Sequence, residues 1–110
     1  MNVIGHVRGL GSFYADDGLE RVEIWVKKDG SEVLPFETGK RIPIDFIIQN
    51  EAFLAGLRAT EKTPYVGISP DMVDENGQKA SLAKVLNKHG FTKNQEIVLQ
   101  VDGCQITLVA

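Results

Sequence analysis

From Val22 to Ile68, apolar residues return at every second position in short runs, and Gly, Pro or charged residues soon cut each run. A period of two marks strands with one buried face, and the breaks leave no room for a helix of ordinary length. Val22, Ile24 and Val26 alternate with Glu23, Trp25 and Lys27. Lys28-Asp29-Gly30-Ser31 reads as a turn, because Asp-Gly accepts the positive φ of hairpin loops. Residues 32–36 read as a short strand that Pro35 confines to a sheet edge. Residues 41–47 place Ile42, Ile44 and Phe46 on one face, and residues 50–57 set Phe53, Ala55 and Leu57 against Ala52, Leu54 and Gly56. A polar loop at 58–64 leads to a strand at 65–69 that Pro70 stops. Upstream, Gly5, Gly9 and Gly11 interrupt Val3, Ile4 and Val7, so residues 1–21 read as an edge strand and a loop turning at Asp16-Asp17-Gly18.

The last forty residues change character. Residues 72–78 read as a loop that turns at Asn76-Gly77. Ser81 is the N-cap type, and Leu82, Val85, Leu86 and His89 form one stripe of a short helix. Gly90 supplies the left-handed stop, Phe91 folds back on Leu86, and Lys84 and Lys88 suit the negative end of the helix dipole. Ile97, Leu99 and Val101 then alternate up to Asp102-Gly103, which reads as a two-residue hairpin turn, and Ile106 and Leu108 alternate on the return. About seven short strands and a helix, without regular helical crossovers, predict a mainly β (α+β) barrel or sandwich.

A chain of 110 residues fits one domain, residues 1–110, with enough surface to bury for a single core. The lone Cys104 rules out an internal disulfide and suits a reducing cytoplasm. The N-terminus carries no signal-peptide pattern, and no apolar run approaches the length of a bilayer span, so no membrane role is expected. The net charge is −3, and residues 1–21, 22–69 and 70–110 each sum to −1, so a basic tail is absent. An anionic partner would need a cluster of cations assembled by folding.

Catalytic constellations do not assemble. His6 and His89 are the only histidines; His89 falls on the buried helical stripe, where a structural role is the plain reading. Cys104 has no CxxC partner, so the ligand set of a structural zinc is missing. Gly9-Leu10-Gly11 lacks the third glycine and the helix of a dinucleotide fingerprint, and Arg41 stands where a phosphate loop ending in Gly39-Lys40 needs Ser or Thr. The expectation is a non-enzymatic binding domain with no cofactor and no metal. Its basic side chains gather at loops: Lys27 and Lys28 before one turn, Lys40 and Arg41 after another, and Arg58, Thr60, Lys62 and Tyr65 around a third. Such groups contact phosphates and base edges, although Asp29, Glu37 and Glu61 alternate with them as on any solvated loop.

Residues 79–109, with their short helix, glycine-aromatic stop and closing hairpin, resemble the C-terminal part of the DNA-binding pseudobarrel proteins. That superfamily includes plant auxin-response-type domains and the recognition domains of some restriction endonucleases; AbrB-type swapped-hairpin regulators share a similar pattern over about forty residues. Upstream, Ile24-Trp25-Val26-Lys27-Lys28, Thr38-Gly39-Lys40-Arg41-Ile42-Pro43 and Leu57-Arg58-Ala59-Thr60-Glu61-Lys62 fall where such a barrel has strands and connecting arms. The resemblance implies an open seven-stranded pseudobarrel with one or two short helices, gripping double-stranded DNA with two arms. Residues 58–63 would be one arm, and residues 27–31 or 37–41 would belong to the other. The alternative is a small-barrel module for a small molecule or protein, with no nucleic-acid role. A patch of Arg58, Lys62, Lys40 and Arg41 would favour DNA; a deep apolar pocket lined by Phe46, Phe53, Tyr65 or Trp25 would favour a ligand.

Overall fold

The computed structural model describes residues 1–29 and 32–109. Among the described residues, nine strands and one helix follow in chain order: β1 (Asn2–Phe13), β2 (Glu20–Lys27), β3 (Arg41–Ile48), β4 (Glu51–Arg58), β5 (Tyr65–Ile68), β6 (Asp71–Asp74), β7 (Lys79–Ser81), α1 (Leu82–Lys88), β8 (Glu96–Asp102) and β9 (Gln105–Leu108). Seven of the strands run round a ring in the order β3-β9-β8-β1-β2-β5-β4, and the β3–β4 pairing closes it. The mainly β, seven-stranded barrel with one short helix is therefore present, and its ring is closed. All neighbours are antiparallel except β3 and β9, which pair in parallel from Asp45↔Gln105 to Ile48↔Leu108. β6 and β7 extend the sheet from β4, outside the ring.

Alternation decides what fills the barrel. Val3 and Val7 of β1, Val22, Ile24 and Val26 of β2, Ile44, Phe46 and Ile48 of β3, and Phe53, Ala55 and Leu57 of β4 are all buried. Ile97, Leu99 and Val101 of β8 meet Ile106 and Leu108 of β9 in the same core, so the interior is packed with side chains. Gly5 is a glycine for steric reasons: a Cβ there would lie 3.0 Å from Ile24 Cγ2 and 3.3 Å from Leu99 Cδ1. The space a side chain would need is filled from the neighbouring strands.

Several elements differ from the sequence reading. β1 is no edge strand, because it pairs with β2 on one side and β8 on the other. Gly5 and Gly9 mark close approach by neighbours, while Gly11, at φ 78°, lies where the β1–β2 register shifts between Gly9 and Phe13. Residues 32–36 form no strand; they belong to the β2–β3 connection, and among its described residues only Leu34 is buried. The turn expected at Lys28-Asp29-Gly30-Ser31 includes residues 30 and 31, which lie outside the described residues. Residues 72–78 contribute to a hairpin instead of a loop, with Met72↔Ala80 paired and Gly77 at φ 78° in its turn. Asp102 pairs with Gln105, so the closing turn is Gly103-Cys104 and not Asp102-Gly103. Gly103 at φ 59°, with no positive φ at Cys104, fits a turn needing a left-handed first residue.

The helix forms as expected. Ser81 caps it by accepting from the Lys84 amide, and Leu82, Val85 and Leu86 are buried. Gly90 has φ 83°, and the Phe91 amide donates to the Leu86 carbonyl at 2.9 Å, closing the helix end. Lys84 lies in the first turn and only Lys88 in the last, so one of the two expected dipole partners is at the wrong end. His89 is structural: its Nε2 is 2.7 Å from Glu51 Oε1, which also accepts from Lys88.

Candidate functional site

The C-terminal ends of β2 and β4 and the N-terminal ends of β3 and β5 meet at one end of the barrel. Register fixes this: Lys27 faces Tyr65 across β2–β5, and Arg41 faces Arg58 across β3–β4. The 28–40 and 59–64 loops are tied together there. The Lys28 amide donates to the Pro64 carbonyl at 3.0 Å, and the Gly39 amide donates to the Ala59 carbonyl at 2.8 Å. Every candidate residue therefore lies at this end: Lys27, Lys28, Lys40, Arg41, Arg58, Thr60, Lys62 and Tyr65.

They are differently occupied. Lys28 donates its Nζ to the Thr60 carbonyl and so helps join the loops. Lys40 pairs with Glu37 at 3.0 Å. Arg41 lies flat over Gly56, where a Cβ would come within 2.4 Å of its Nε. The Thr60 and Thr63 hydroxyls share a 3.0 Å hydrogen bond. Lys27, Arg58 and Lys62 are exposed and make no ion pair among the described residues.

An aromatic stack that the sequence did not reveal stands beside these cations. Trp25 and Tyr65 project outward from β2 and β5, with ring centroids 3.7 Å apart and planes 10° from parallel. Trp25 Nε1 donates to Glu23 Oε1 at 3.0 Å, and the Arg8 guanidinium covers the indole at 5.7 Å. Partial burial, with the nearby Glu23 carboxylate, raises the Tyr65 hydroxyl pKa above its ordinary value. A groove of about 490 Å³ runs beside the stack, lined by His6, Arg8, Trp25, Lys27, Lys28 and Tyr65 among others. Alternation in β2 showed that Trp25 faces outward, but only the β2–β5 pairing brings in Tyr65.

Phe46 and Phe53 lie inside the barrel wall, whereas Trp25 and Tyr65 stand outside it. Of the aromatics named for a ligand pocket, Trp25 and Tyr65 line the groove, while Phe46 and Phe53 belong to the core. Among the described residues, no group of three His, Cys, Asp or Glu side chains is placed to hold a metal ion. None of the described helices is long and apolar enough to cross a membrane. Cys104 is exposed in its turn. Comparison with known proteins matches the chain to no family model, no curated protein and no solved structure.

Proposed function

We propose that this chain is a non-enzymatic binding domain that holds double-stranded DNA by its phosphates at the barrel end where the 28–40 and 59–64 loops meet. The observation that carries the reading is a separation of charge. Residues 27–41 and 58–65 carry six cations and four carboxylates, a net of +2, while the rest of the chain carries −5. A net-acidic protein can thus turn one positive end toward a polyanion. Lys27, Arg58 and Lys62 supply the phosphate contacts, and the hydroxyls of Thr60 and Thr63 and the ring of Tyr65 stand beside them. The resemblance to pseudobarrel DNA-binding domains, restriction-endonuclease recognition domains among them, supports the same placement, since those proteins also approach DNA with loops between barrel strands. The reading includes a reducing cytoplasm, where Cys104 stays a free thiol.

Binding of random-sequence duplex as salt rises tests it. Three phosphate contacts give a log–log slope of about −2.7, a loss of roughly 40-fold in affinity between 50 and 200 mM salt. Changing Arg58 and Lys62 together to Ala leaves one contact, a slope of about −0.9 and a loss of only about fourfold. Wild-type protein that binds no duplex at low salt refutes the reading. An unchanged slope in the double variant moves the contacts to another surface.

A further inference from the structure

The outward row across the sheet runs His6, Trp25, Gly67, Arg58, Arg41, each residue the register partner of the next. Gly67 has no side chain, so the row is interrupted between an indole and a guanidinium. The gap is a slot of about 220 Å³ with Gly67 at its base and Arg58, Tyr65, Glu23, Thr60 and Thr63 around it. Tyr65 lines this slot and the larger groove beside Trp25 alike, so its ring is the partition between them. The Tyr65 ring lies on Trp25, and the residue borders the slot together with Arg58. Glu23 reaches the slot floor, since a Cβ on Gly67 would be 3.5 Å from its Oε2. Trp25 takes one lone pair of this carboxylate at Oε1, and both oxygens keep the capacity to accept another hydrogen bond.

We infer that this slot takes one unpaired guanine base of a DNA strand, stacked between the Tyr65 ring and the Arg58 guanidinium. The inference rests on the DNA reading above and adds a base contact to it. An aromatic face opposite a planar cation selects a flat ring, and base stacking of this kind tolerates any base. Specificity comes from the floor. A carboxylate accepts and cannot donate, so it selects the base edge that offers two adjacent N–H groups, which among the DNA bases is the Watson–Crick edge of guanine. In a duplex that edge is already paired, so the base must come from a single strand or be turned out of the stack. Nearby Thr60 has a hydroxyl suited to the guanine carbonyl or the adjoining phosphate.

The test compares a labelled ten-nucleotide oligothymidine with the same strand carrying one central guanine, by fluorescence anisotropy at low salt, with random duplex alongside. Wild-type protein should bind the guanine strand about fivefold or more tighter than oligothymidine. Gly67→Ala should abolish that preference while leaving duplex affinity and its salt slope unchanged; the added methyl meets Glu23 at ordinary contact distance, so the fold accepts it. Glu23→Gln keeps the slot's shape, replaces an acceptor with a donor, and should also abolish the preference; it carries the test if Gly67→Ala does not fold. Duplex binding with no guanine preference overturns the slot and leaves the DNA reading standing. A preference that survives both substitutions also overturns it. Failure to bind the duplex and both oligonucleotides overturns both.

Discussion

Leu99→Ala probes whether the ring is closed around a filled interior. Leu99 is fully buried in the middle of β8, opposite Val3 of β1 and Leu108 of β9. The substitution removes three carbons, about 2.4 kcal/mol at roughly 0.8 kcal/mol for each buried methylene. The cavity adds to this, because neighbours cannot move in. Strands clamp β8 on both sides, and Gly5, beside Leu99 Cδ1, has no side chain to swing into the gap. A total of about 3–4 kcal/mol follows, in the middle of the range for buried leucines. At roughly 2.1 cal/mol/K of unfolding entropy per residue, a chain of 110 residues should lose about 13–17 °C in Tm. Urea denaturation should show the midpoint falling with the slope unchanged. A loss under about 0.5 kcal/mol, the size expected of a surface substitution, would show that Leu99 does not fill the barrel.

Other expectations follow from single contacts. Ser81→Ala removes the acceptor for the Lys84 amide and should cost about 1 kcal/mol in urea denaturation. Hydrogen bonds from His89 and Lys88 lower the Glu51 pKa, and those from Lys93 and the Gly11 amide lower that of Glu20. Their stabilisation should be present above about pH 4.5, the unfolded value, and fade as pH falls through the lower folded values; Glu51→Gln should flatten the acid limb of a plot of Tm against pH. Burial, then the hydrogen bond to Asp71, raises Tyr14 to about 12. Ultraviolet titration should find one tyrosine ionising near that pH, and Tyr14→Phe should remove both this step and the matching loss of stability between about pH 10 and 12.

Much of the barrel was legible because its strands are half-buried, and half-burial writes a period of two into the sequence. Val22, Ile24 and Val26, or Ile97, Leu99 and Val101, need no partner to be identified as one face. The misreadings share a cause: the local pattern depended on what lay across the sheet. Residues 32–36 read as a strand, yet they find no edge to pair with; Leu34 is buried in the core and Val33 and Phe36 pack against it. Residues 72–78 read as a loop around Asn76-Gly77, yet β4 supplies an edge for Met72-Val73 through Leu54↔Val73. Gly5 looked like a break because the side chains that fill its space lie 19 and 94 positions away, at Ile24 and Leu99.

The candidate site divides in the same way. Cations flanking turns were visible one at a time, and strand polarity gathers them at one end. The Trp25–Tyr65 stack spans forty positions and exists only because β2 lies against β5. The gap at Gly67 was invisible for the same reason: a glycine becomes a slot only when its register partners on both sides are large.

The closure of the ring also sets the pace at which it can form. β3 and β4 are joined by Gln49 and Asn50, both at positive φ, and β8 and β9 by a two-residue turn, so each pair is local and should form within microseconds. Joining the two hairpins is another matter. β3 meets β9 about 60 positions away at Asp45↔Gln105, and β1 meets β8 across almost the whole chain at Asn2↔Gln100. The entropy of closing those long loops is lost before their contacts repay it, which slows folding to the millisecond-to-second range of all-β domains. Until then both flanks of the unfinished sheet present unpaired backbone, so refolding yield should fall as protein concentration rises, even where the native barrel stays soluble.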